Sequence, residues 1–123
     1  MIIHESSEDY LEAMLMLRED KGYIRSVDVA EKLGVKKPSV SYATKRLRES
    51  GYIAMDESGL ISLTDAGYEI AARMFTRHRT LTEFLMQIGV DAETAREDAC
   101  RLEHDLSEAS FEAICRHAEE VGK

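Results

Sequence analysis

Apolar residues recur three and four positions apart over most of the chain, so the elements it predicts are mainly helices. Ser7, followed by Glu8 and Asp9, starts the first, with acids in the turn where the helix dipole favours them. It is expected to run to Asp20 and stop at Gly22. A short second helix covers about Val27 to Leu33 and ends at Gly34. Pro38 fits the first turn of a third, which continues to about Ser50. The pattern then changes period. Tyr52–Met55 and Leu60–Leu63 alternate around a turn at Asp56–Gly59, which predicts a small hairpin. Thr64 caps a long fourth helix from Asp65 to about Ile88. Asp91 opens a fifth, to about Leu106, and Ser107 caps a sixth, to about Val121.

This order predicts a mainly α protein. A winged helix-turn-helix domain over residues 1–64 is followed by a helical domain over 65–123. In the second helix Val29, Ala30 and Leu33 face inward; in the third, Val40, Ala43 and Leu47 do. The opposite stripe of the third helix carries Pro38, Ser41, Tyr42 and Lys45, with Lys36, Lys37 and Ser39 at its N-terminal end, and Arg46 is a further DNA-binding candidate. Short polar groups and cations there suit a reader of the major groove, where side chains meet base edges and Lys and Arg hold phosphates. Arg25, just before the second helix, joins these candidates. The same fold could instead bind a protein.

Charge changes the picture only when divided. The net charge of −8 argues against nucleic acid, yet residues 21–50 sum to +5, and residues 1–20, 51–90 and 91–123 to −5, −2 and −6. A basic module sits in an acidic frame. Phosphate attraction acts locally, because charges are screened over about 10 Å at 0.1 M salt. No apolar run approaches the roughly 20 residues of a membrane span. The start, MIIHESSEDY, is too short and acidic for a signal peptide. Two cysteines do not make a disulfide framework, so a reduced, cytoplasmic protein is expected.

Candidate chemistry lies on three helices. His78 interrupts the apolar seam Ile70, Met74, Leu81, Leu85, Ile88 of the fourth helix. On pattern alone a satisfied core histidine is favoured over a ligand. In the fifth, Cys100, Glu103 and His104 stand at i, i+3 and i+4 and share a face, beside an inward stripe of Ala95, Ala99, Leu102 and Leu106. The competing reading is a polar face with an inert cysteine. In the first, Asp9 and Glu12 share a face. Acids near a helix start are commonplace, but with the other four they form a six-ligand set suited to a first-row divalent ion. Cys115, with Phe111, Ile114 and Ala118, reads as core.

With these residues in place, the chain resembles the diphtheria toxin repressor and manganese transport regulator family of metal-dependent repressors. The resemblance runs from Glu8 to about Ser110. It rests on E-D-Y-L-E at 8–12, G-Y-I-R-S-V-D-V-A-E-K-L-G-V at 22–35, K-P-S-V-S at 37–41, L-T-D-A-G at 63–67, R-H at 77–78 and D-A-C-R-L-E-H at 98–104. It implies a cytoplasmic homodimer that binds a palindromic DNA operator, dimerises through residues from about 65 onward, and represses metal-uptake genes when metal is bound. It also implies Asp9, Glu12, His78, Cys100, Glu103 and His104 as metal ligands. Asp9 matches the manganese-type members. Cys100 matches the iron type, where the manganese type carries glutamate. The ancillary site of the iron type is expected to be lost, its positions falling on Arg96 and Thr82. This hybrid set points to manganese(II) or iron(II), with zinc(II) or cobalt(II) as alternatives, and to one principal ion per subunit or at most an unequal pair. The rival function is a metal-independent winged-helix regulator or interaction module. No residue pattern points to an enzyme.

Overall fold

The structure is a computed structural model that describes residues 5–121. Six helices and three short strands follow in the order α1 (Glu5–Lys21), β1 (Ile24–Arg25), α2 (Ser26–Leu33), α3 (Lys37–Glu49), β2 (Ile53–Met55), β3 (Leu60–Leu63), α4 (Asp65–Gln87), α5 (Ala92–Asp105) and α6 (Glu108–Val121). No helix among the described residues is long and apolar enough to cross a membrane. The chain divides within α4 into two compact units, Met1–Arg73 and Met74–Lys123.

In the first unit, α1 packs on α2, α3, β1 and β3, and α2 packs on α3. The α2–α3 connection is the helix-turn-helix. Gly34 ends α2 at φ +67°, a left-handed conformation that costs glycine little, and Val35 N–H donates to the Ala30 carbonyl at 3.0 Å. As expected, Val29, Ala30, Val40 and Leu47 are buried. Thr44 joins them at 3% exposure, its hydroxyl donating to the Ser41 carbonyl at 3.1 Å, whereas Ala43 is only half-buried. A polar residue can enter the core stripe when its own helix satisfies the hydroxyl.

The expected hairpin is one part of a three-stranded antiparallel sheet of order β1-β3-β2. Ile24 pairs with Ile61, and Ile53 with Leu63. Two residues are too few to show alternation, so β1 left no readable pattern. At the β2–β3 tip the exposed Asp56 carboxylate accepts from the N–H groups of Ser58 and Leu60, both at 2.9 Å, and exposed Glu57 follows it.

The start of α4 is set by Thr64. Its hydroxyl donates to the Gly51 carbonyl at 2.7 Å and accepts from Gly67 N–H at 3.2 Å. This draws the first turn of α4 against the loop before β2, so closely that a Cβ on residue 67 would collide with the Tyr52 carbonyl. Alanine normally favours a helix over glycine, but here the clash decides the sign. Gly67→Ala is expected to lower unfolding free energy by about 1–3 kcal/mol, the usual cost of overpacking. Urea denaturation should show the loss in the midpoint with the slope unchanged.

In the second unit, Leu81, Ala99 and Phe111 form a core on which Leu106, Ile114 and Cys115 pack, as expected for Cys115. Its thiol is pushed above the usual range, first by burial and then by Glu119, Glu108 and Glu112. Two expectations need correction. Ile88 lies beyond the end of α4 and is 61% exposed, because the helix gives way there to the turn at Gly89. Leu102 is 37% exposed, while the carboxylate-bearing Glu103 is completely buried. The inward face of α5 is Ala95, Ala99, Glu103, so a charged residue takes the place expected for a leucine.

Candidate metal centre and nucleic-acid interface

Asp91 accepts from Thr94 N–H at 3.0 Å and so caps α5, which presents Cys100, Glu103 and His104 one turn apart. The Asp91 carboxyl is held below its usual range by that hydrogen bond. His78 comes from α4. Its Nδ1 lies 3.2 Å from Glu103 Oε2 and 3.6 Å from Cys100 Sγ. The other Glu103 oxygen, Oε1, lies 3.5 Å from His104 Nε2. The carboxylate therefore stands between two imidazoles. His78, Cys100 and Glu103 each offer a ligand atom, all within 4.8 Å of one another.

The group is graded from water inward. Cys100 is exposed, the His78 side chain is 17% exposed, and those of Glu103 and His104 are at 1% and 2%. Burying a carboxylate costs several kcal/mol unless charge or hydrogen bonds compensate. A thiolate, an imidazole and a carboxylate so gathered match the donors that divalent first-row ions take. The donor set fits a metal. The choice between a core histidine and a ligand at position 78 turns on these neighbours, not on its seam.

Sequence reasoning missed Arg77. It is 6% exposed and organises the end of α5. One terminal nitrogen donates to the carbonyls of Glu103 and Leu106, each at 2.9 Å; the other donates to Glu108 Oε2 at 2.9 Å. Its guanidinium lies 5.0 Å from the centre of the Phe111 ring. The carbonyls that a helix end leaves orphaned are thus satisfied by one buried cation. Its place beside His78 in the R-H pair was the only available signal.

Asp9 and Glu12 belong to α1 in the first unit. Asp9 is half-buried and Glu12 is 6% exposed. Glu8, also buried, has Arg73 within 3.8 Å. α1 thus carries two buried carboxylates as well as the buried Leu11, Met14 and Leu15.

The nucleic-acid candidates lie on α3, at its N-cap and on β1. Lys36, Lys37, Pro38, Ser39, Ser41, Tyr42, Lys45 and Arg46 are all exposed, as is Arg25. Pro38 occupies the first turn of α3. The Arg25 guanidinium lies 5.4 Å from the centre of the Tyr23 ring. Arg46 lies 5.7 Å from the centre of the Tyr42 ring and donates to its hydroxyl at 3.4 Å. The first unit thus offers one basic helix face, free of acids in its first turn.

Known proteins agree with both halves. Residues 3–59 match the N-terminal DNA-binding domain of the iron-dependent repressors, and residues 64–122 match their metal-binding and dimerisation domain. An HTH-type transcriptional regulator of Methanocaldococcus jannaschii is 36% identical over 112 residues, covering 89% of this chain and 90% of that protein. The HTH-type transcriptional regulator MntR of Bacillus subtilis is 39% identical over 109 residues, covering 89% and 77%. The solved manganese regulator SloR superposes with a TM-score of 0.81 at 30% identity, over 92% of this chain and 53% of its own. The chain thus spans about half the length of that solved relative. With a DNA-binding match, a metal-binding and dimerisation match and relatives this similar over most of their length, the chain belongs to the iron-dependent repressor family of metal-dependent transcriptional regulators.

Proposed function

We propose that the chain is a homodimeric, metal-activated repressor that binds a palindromic duplex operator in the cytoplasm and has no enzymatic activity. Residues 1–64 read DNA and residues 65–123 dimerise. The observation that carries the reading is the convergence of His78 Nδ1, Cys100 Sγ and a Glu103 oxygen within 4.8 Å of one another, with His104 against the same carboxylate. In this proposal Asp9 and Glu12 complete the ligand set, as the family resemblance implies. Manganese(II) or iron(II) is the activating ion, and zinc(II) or cobalt(II) fits the same donors. The thiol of Cys100 shifts preference from manganese toward iron, cobalt or zinc.

A bound divalent ion supplies the positive charge that lets carboxylates and a thiolate share one small volume. The chain's own residues do the rest. Glu103 orients both imidazoles, Arg77 fixes the end of the helix that carries Glu103, and the α3 cations meet phosphates. With ligands from α1 and from α4 and α5, metal occupancy and the hold on the DNA-reading unit become one equilibrium. Two recognition helices would be needed about 34 Å apart, one turn of duplex.

Linkage makes this measurable. If metal raises operator affinity by some factor, operator must raise metal affinity by the same factor, typically about 5–150-fold. Metal affinity is measured with and without operator, using manganese(II), iron(II) and zinc(II) at buffered free concentrations. The proposal expects an operator-dependent gain for at least one ion. Equal affinities for all three would refute it and leave a metal-independent DNA binder.

A further inference from the structure

Tyr42 is the most exposed large apolar side chain among the described residues, at 64%. It lies in the second turn of α3, in the half of a recognition helix that reaches base edges. Its ring is not left loose. Arg46, four residues on, donates to the phenol oxygen at 3.4 Å and sets its guanidinium 5.7 Å from the ring centre. Such a contact contributes modestly at an exposed site, about 0.5–1 kcal/mol, and biases the ring toward this position before any partner arrives.

The other exposed groups along this face are Pro38 in the first turn, short hydroxyls and cations: Ser39, Ser41, Lys36, Lys37 and Lys45. Serine accepts or donates to any base and discriminates poorly, and lysine serves phosphate or a guanine edge, neither of which is apolar. Tyr42 offers the broadest apolar surface here, beyond the small ring of Pro38. The major groove has one apolar feature, the C5-methyl group of thymine. Arg46, engaged by the phenol, is correspondingly less free to fork onto a guanine edge.

We infer that Tyr42, held by Arg46, is a specificity-determining residue that reads a thymine methyl in each operator half-site. The inference rests on the DNA-reading function proposed above and adds to it the base that is chosen and the group that chooses it.

The test separates the two. The full chain, with manganese(II), first selects its operator from a random duplex library. Each thymine of the selected duplex is then replaced by deoxyuridine, which removes only the methyl group, and affinity is measured for the wild-type chain, Tyr42→Ala and Tyr42→Phe. One symmetric thymine position should weaken wild-type binding by about fourfold per half-site, the worth of one buried methyl. Tyr42→Phe should keep that discrimination and Tyr42→Ala should lose it, while an unchanged thermal melt shows that both variants fold. Wild-type indifference to deoxyuridine at every position would overturn the inference. So would a methyl penalty that survives in Tyr42→Ala. A uniform loss in both variants, insensitive to methyl groups, would make Tyr42 a phosphate contact and also overturn it. Failure to select any sequence would remove the DNA-reading function itself.

Discussion

Glu103→Gln should leave the protein folded and make its operator binding indifferent to manganese(II). Glutamine keeps the shape of the buried side chain and can still hydrogen-bond His78 and His104. It removes the charge that the donor set needs and one of the strongest oxygen ligands. Loss even of an outer partner of a metal ligand commonly costs 10–100-fold in affinity, and loss of a ligand should cost at least that. The gain in operator affinity on adding metal, about 5–150-fold for a typical coupled pair of sites, should fall to about one. Anisotropy of a labelled operator at buffered free manganese(II) reads this directly. A second readout guards against a merely damaged fold. Without metal the variant should melt no lower than the wild-type chain, because a buried carboxylate has become a neutral amide. Metal-dependent binding that persists unchanged would remove Glu103 from the ligand set.

Arg77→Met should be strongly destabilising, by about 3–5 kcal/mol, because it leaves the Glu103 and Leu106 carbonyls without their donor at about 1–3 kcal/mol each. Methionine fills much of the volume and keeps contact with Phe111. It cannot donate to the Glu103 and Leu106 carbonyls, which lie 2.9 Å from the guanidinium, nor to Glu108. Those carbonyls close α5 and lead the chain into α6, so the loss falls on the turn between the two helices. A fall of about 10–20 °C in melting temperature is expected from thermal denaturation followed by circular dichroism. Arg77→Lys should recover part of it, since an ammonium supplies charge without the planar fork that reaches several acceptors. Because Glu103 is carried on the same stretch of α5, Arg77→Met should also weaken metal binding in whatever fraction remains folded.

These expectations depend on features that the sequence showed unequally. The helix-turn-helix was plain from local chemistry: Gly34 after a short amphipathic run, Pro38 opening the next helix, and cations on its outer face. The helix starts at Thr64, Asp91 and Ser107 were equally visible, because a capping side chain lies within three residues of the group it caps. What stayed hidden involved groups far apart in sequence or a reversal of the usual burial rule. β1 becomes a strand only because β3 pairs with it some 35 residues later. Arg77 reads as a surface cation until the carbonyls 26 and 29 residues away are seen beneath it. Glu103 was recognised as chemistry while Leu102 was assigned to the core. The helix instead turns its carboxylate inward, where His78 meets it. Of the candidate ligands, the Cys100–His104 face was legible from spacing alone. His78 was named only through its place in the six-residue set and the family resemblance, since its apolar seam by itself pointed to the core.

The carboxylates at the β2–β3 tip also shape how a duplex can approach. DNA carries one negative charge per roughly 1.7 Å of its axis. Asp56 is tied into its own turn by two backbone N–H groups, and Glu57 stands next to it. The hairpin end is therefore an electrostatic fender, pushing phosphates away while the helix beside it draws them in. A duplex held on α3 would meet that repulsion on its hairpin side.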